Sequence, residues 1–173
     1  KSGFHFIDYL DPVEAIPPEI DASQLTDEVA AYIETQLQAN AEKFDNQANI
    51  VKQHLPLQNA KVLDVGCGGG LFLSLLKQQG ADVIGIELSD SRAQYAKAKH
   101  RLVIDKHPIE SDHWQSGYAT YFDAVTLWDV IEHVNYPLQT LQSVASVLKE
   151  GGVLLIDTPC RDSFYHRFGE LTY

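Results

Sequence analysis

Apolar residues recur along the chain at two different periods, and the change of period divides it. From Asp27 onward, Val29, Ile33, Leu37, Phe44, Ala48, Val51 and Leu55 follow the spacing of a helix face. Thr26 offers a side-chain oxygen to the first turn and Pro56 stands beyond the end, so the stretch predicts one long helix or two shorter ones. After Lys61, short apolar runs alternate with amphipathic ones. Lys61 to Val65 reads as a strand, Leu71 to Gln79 as a helix closed by Gly80 in a left-handed cap, and Asp82 to Glu87 as a second strand. Ser89 caps a helix through Ala93, Tyr95 and Ala98, and Leu102-Val103-Ile104 is a short third strand. Phe122 to Trp128 is the fourth. Pro137 opens a helix whose Leu138, Leu141, Val144, Ala145 and Leu148 share a face, and Gly151-Gly152 turns the chain into a fifth strand, Val153 to Asp157. The segment from Asp105 to Tyr121 carries no sharp pattern.

Strands alternating with helices predict an α/β domain with a doubly wound, mostly parallel sheet covered on both faces. Residues 1–58 read as an N-terminal arm and helical extension, and 59–173 as the core. The arm mixes prolines with Phe4, Phe6 and Tyr9. The helical stretch has two readings. It is a lid whose Phe44, or the arm's Tyr9, touches a ligand, or it covers a sheet edge or packs on the core; the second has the better claim, since most amphipathic stripes are buried faces.

Composition narrows the class. A chain of 173 residues, 45% hydrophobic and 21% charged, can bury one real core. No apolar stretch approaches the length of a membrane span, and no signal peptide opens the sequence. Thirteen basic against twenty-four acidic residues give a net charge of −11, which repels polyanions and argues against a nucleic-acid partner. Cys67 and Cys160 form no disulfide framework, which fits a reducing cytoplasm. The histidines show no metal-ligand interval with a cysteine or with one another, so no metal site is expected.

The chemistry concentrates in Val62-Leu63-Asp64-Val65-Gly66-Cys67-Gly68-Gly69-Gly70 and in Glu87. A strand delivers the chain to a turn without Cβ atoms, and a helix beginning near Gly70 points free N–H groups at whatever lies there. Glu87, ending the second strand, emerges beside that turn and can accept both hydroxyls of a ribose. These features specify a nucleoside-containing cofactor. A dinucleotide fingerprint needs its third glycine at the sixth position, which counted from Gly66 is Leu71.

The glycines at 66, 68 and 70, with Asp64 ahead of them, instead resemble the first motif of the class I S-adenosylmethionine-dependent methyltransferases. The resemblance implies a Rossmann-like fold, S-adenosylmethionine as cofactor and S-adenosylhomocysteine as product. It places Asp64, Gly66, Cys67, Gly68 and Gly70 at the methionine end of the cofactor, Glu87 and Leu88 at the ribose, and Ile109 and Glu110 against the adenine. Trp128-Asp129-Val130-Ile131-Glu132-His133-Val134 resembles the stretch after strand four in small-molecule methyltransferases of quinone biosynthesis and of sugar or lipid tailoring. Trp128, Asp129 and Val130 then lie along the methionine chain, with an aromatic face and a carboxylate offered to a sulfonium. His133 is a candidate base for an acceptor hydroxyl. Trp128 as ordinary core, Asp129 and Glu132 as caps and His133 as a structural histidine are the competing readings.

Asp157-Thr158-Pro159-Cys160 resembles the family's strand-end loop with Cys160 in place of asparagine, an inert thiol in this reading. The family carries two further strands beyond the region matching the end of this sequence, so the core is read as truncated at its C-terminus. The expected activity is methyl transfer to a small-molecule acceptor, foremost at oxygen. An NAD-dependent oxidoreductase and a non-catalytic cofactor-binding scaffold are the alternatives.

Overall fold

A computed structural model describes residues 24–159. Two helices, α1 (Asp27–Ala39) and α2 (Ala41–His54), precede the alternation β1 (Lys61–Val65), α3 (Leu71–Gln78), β2 (Asp82–Ile86), α4 (Asp90–His100), β3 (Val103–Asp105), α5 (Asp112–Gly117), β4 (Phe122–Trp128), α6 (Pro137–Val147) and β5 (Leu148–Asp157). A 3₁₀ turn, Ile131–His133, follows β4. The five strands form one parallel sheet in the order β3-β2-β1-β4-β5. The expected doubly wound α/β fold is therefore present. The order reverses between β1 and β4, and ligands of such sheets lie outside the carboxyl ends of the strands at that switch.

Alternating residues of β1 feed opposite faces. Val62 joins Ala48, Val51, Phe72, Leu73 and Leu76 beneath α2 and α3, whereas Leu63 and Val65 join Trp114, Phe122, Val125, Val144 and Val147 beneath α5 and α6. Phe44 packs against the first of these clusters, as the packed-face reading of α2 expects. The helical stretch breaks at Asn40, whose side chain donates to Gln36 O at 2.9 Å, and Thr26 caps α1 by accepting from Val29 N at 3.2 Å. Tyr9 and the rest of the arm lie outside the described residues, as does Cys160.

Three local expectations are corrected. The buried face of α6 is Thr140, Val144 and Val147, while Leu138 is 70% exposed and Leu148 already belongs to β5. Gly151-Gly152 does not precede the last strand but forms an irregularity within it: Phe122 pairs with Leu148 and Ala124 with Val153, and Gly151 has φ +74°. Residues 105–121, read as patternless, contain α5, a helix too short to show a period. Its Trp114 is fully buried and donates to His107 O at 2.9 Å.

Candidate active site

The glycine loop folds tightly over the end of β2. Gly66 N and Cys67 N both donate to Ile86 O, at 2.8 and 2.9 Å, and Gly70 N donates to Cys67 O at 3.0 Å. Gly66, Gly68 and Gly70 all have positive φ, at +74°, +55° and +80°, where any other residue is strained. Their surroundings differ. A Cβ on Gly66 would stand 2.7 Å from Val130 Cγ2, and one on Gly70 2.5 Å from Leu102 Cδ1, whereas nothing lies within 4 Å of a Cβ on Gly68. Two of the three glycines therefore admit neighbouring side chains. Gly68 alone leaves an open face of backbone, the space a ligand needs. Gly69 serves a further contact, since its Cβ would meet Leu37 and Ile33 of α1 at 2.8 and 3.0 Å.

Glu87 is buried and ties this loop to the next helix. Its Oε2 accepts from Gly68 N and its Oε1 from Ser89 N, each at 2.8 Å, and its own N–H donates to Asp105 O at 3.1 Å. An ionised carboxylate has about four lone-pair sites, so both oxygens keep capacity for a diol. Leu88 beside it is 61% exposed. Asp64 is buried, and its Oδ1 accepts from Thr126 Oγ1 at 2.6 Å. Burial pushes its carboxyl up to about 8, against the Thr126 hydrogen bond and with help from the charge of Glu87. Cys67 is buried too. Its Sγ occupies the space that Gly85 leaves, where an added Cβ would lie 2.4 Å away. Burial first, then the charges of Asp64 and Glu87, push its thiol far up, so it is packing rather than a nucleophile.

The other residues singled out in the sequence spread around this centre. Ile109 is 2% exposed within the second core cluster, and Glu110 is half-buried and accepts from Thr140 of α6. Trp128 meets Phe72 edge to face, with centroids 5.6 Å apart. Asp129 has φ +53°, donates its N–H to Asp157 O at 3.0 Å and pairs its carboxylate with Lys43 of α2. Val130 covers Gly66, and His133 is exposed on the 3₁₀ turn, where its N–H donates to Val130 O at 2.9 Å.

Sequence reasoning missed two groups. A groove of about 590 Å³ runs between α2 and the ends of β4 and β5, lined by Lys43, Gln47, Ile50, Trp128, Ile156 and Asp157 among others. Gln47 is 3% exposed, and neither its amide atoms nor the buried indole N–H of Trp128 has a partner among the described residues. The available signal was a polar residue inside the apolar stripe of Phe44, Ala48 and Val51. The second group is Asp105, His107 and His113, whose side chains come together at the end of β3. Their spacing is uninformative because α5 supplies the third member.

Residues 22–173 match the family model for a methyltransferase domain, and the chain belongs to that family. Its strand order is that of the class I S-adenosylmethionine-dependent type. Over 116 residues it is 39% identical to a ubiquinone biosynthesis O-methyltransferase of Histophilus somni, covering 63% of this chain and 49% of that protein. A protein of the same name from Stutzerimonas stutzeri is 30% identical over 125 residues, 70% of this chain and 54% of the relative. The chain thus spans about half the length of the curated relatives it matches. Among solved structures, an S-adenosylmethionine-dependent methyltransferase from Thermotoga maritima superposes with a TM-score of 0.64 at 25% identity, over 82% of this chain and 63% of that one.

Proposed function

We propose that this chain carries the cofactor-binding core of an enzyme that methylates an oxygen of a small-molecule acceptor in the cytoplasm, with residues 59–173 as the core and 1–58 as an extension. The observation that carries the reading is the open backbone face of Gly68, held by the buried carboxylate of Glu87 at the topological switch of the sheet. That cradle fits a nucleoside with a short amino-acid tail. Bound there, S-adenosylmethionine supplies an electrophilic methyl group on a sulfonium and leaves as S-adenosylhomocysteine.

The residues of the chain hold and align. Glu87 accepts the ribose hydroxyls on its free lone pairs while its bonds to Gly68 and Ser89 keep it oriented. Leu88 gives an apolar surface beside it. Asp64 is neutral through most of the acid range because of its burial, and an ammonium beside it restores its charge. Trp128 and Asp129 flank the groove side, where Lys43 already neutralises Asp129, so the indole face is the better partner for a sulfonium. Ile109 acts through packing, since it is buried in the core. His133, exposed after β4, takes the proton of an acceptor hydroxyl when the acceptor needs it. The oxygen acceptor follows the curated relatives, both ubiquinone biosynthesis O-methyltransferases.

Calorimetry with S-adenosylhomocysteine tests the site. Glu87→Ala is expected to weaken binding by at least about tenfold, the cost of one charged hydrogen-bonding group, with the far-UV spectrum unchanged. Unchanged affinity in a folded Glu87→Ala protein would remove the ribose assignment.

A further inference from the structure

Asp105 closes β3, His107 follows in the next turn, and His113 stands on α5. His107 Nδ1 lies 2.8 Å from Asp105 Oδ1, and His113 Nε2 lies 3.1 Å from Asp105 Oδ2. The two imidazoles stack with centroids 4.5 Å apart and 20° between their planes. One ligand atom from each of the three side chains lies within 4.8 Å of the others.

The frame that holds them is stiff. His107 N donates to Asp105 Oδ1 at 2.7 Å, fixing the carboxylate to the turn. Trp114, fully buried, donates its indole N–H to His107 O at 2.9 Å and meets the His113 ring edge to face at 5.2 Å. One core side chain thus holds the His107 backbone and packs on the His113 ring. The nearby ammonium of Lys106 is engaged by Asp90, so it does not compete for the Asp105 carboxylate.

We propose that Asp105, His107 and His113 form a site for one divalent transition-metal ion of the zinc type, separate from the glycine loop. Two imidazole nitrogens and a carboxylate oxygen suit zinc, whose bonds to such atoms are about 2.0–2.2 Å, with a fourth position left to water. Magnesium and calcium prefer all-oxygen sets and fit it poorly.

The test uses untagged protein stripped with chelator and titrated calorimetrically with zinc chloride alone. One equivalent is expected to bind. His107→Ala and His113→Ala should each weaken binding by more than the roughly tenfold loss typical of an outer-shell partner. His54→Ala, on the C-terminal turn of α2, should leave it unchanged. Titration of the wild-type protein with cobalt(II) gives an independent reading, the visible absorption of a four-coordinate site saturating at one equivalent. No saturable binding, or binding that survives both His107→Ala and His113→Ala, would show the cluster to be an Asp–His hydrogen-bond group and overturn the proposal.

Discussion

Asp64 is a carboxylate in the middle of a sheet with one hydroxyl for a partner, and that imbalance is measurable. Its carboxyl lies at about 8, against the ordinary 3.8. Between those values the folded chain keeps a proton that the unfolded chain has lost. Folding stability therefore falls as pH rises through this window, with a slope of up to about 1.4 kcal/mol per pH unit. Asp64→Asn keeps the acceptor for Thr126 Oγ1 and removes the titration. Melting curves of the two proteins should show the variant gaining on the wild type by ~8–15 °C from about pH 5 to about pH 8. Parallel pH profiles would mean that Asp64 stays ionised in the fold. At this scale the sequence singles out Asp64 and Glu87, and both are buried in the structure. It does not separate the glycines, because all three share positive φ while only Gly68 has open space where a Cβ would stand, and Gly66 and Gly70 meet side chains distant in the chain.

Among elements, α1 is the one whose position the sequence left open. It reaches the site through Gly69, against which Ile33 and Leu37 lie, and it is anchored to α4 by Glu34, which accepts from Tyr95 and pairs with Lys99 at 2.8 Å. Hydrogen bonds from Lys99 and Tyr95 hold the Glu34 carboxyl down at about 2, so this anchor stays charged at any working pH. A methyl group at Gly69 must push Leu37 aside, and Gly69→Ala is expected to cost about 1 kcal/mol in urea unfolding. A Leu37→Ala background removes the nearer obstruction and leaves only Ile33 Cγ2 at 3.0 Å. The double variant should then be more stable than the sum of the two single losses by at least about 0.5 kcal/mol, the sign of direct contact. Strict additivity would place α1 away from the loop. Periodicity recovered β4 residue for residue because a buried parallel strand is a mostly apolar run, here broken only by Asp123 and Thr126. The same logic failed for α5, which is too short for a period, and for Leu138, an apolar residue that the helix turns outward.

For the molecule as a whole, the site is a joint between strands. Glu87 links the loop after β1 to the start of α4, and its backbone N–H is held by the end of β3, so a ligand seated on Gly68 and Glu87 ties together three neighbouring strand ends. Such a ligand binds only the folded chain. At a hundredfold excess over its dissociation constant it adds about 2.7 kcal/mol to stability, or ~5–10 °C in melting temperature for a chain of this size. The charge of the molecule says which nucleoside ligand this is. The loop 66–70 carries no basic side chain, Asp64 and Glu87 lie against it, and the net charge is −11. A pyrophosphate laid over that loop would meet acids, whereas a zwitterionic amino-acid tail brings its own ammonium. Thermal melts should therefore rise with S-adenosylhomocysteine and stay unmoved with NADH at the same concentration. An equal or larger rise with NADH would make the glycine turn a dinucleotide site and the proposed methyl transfer wrong.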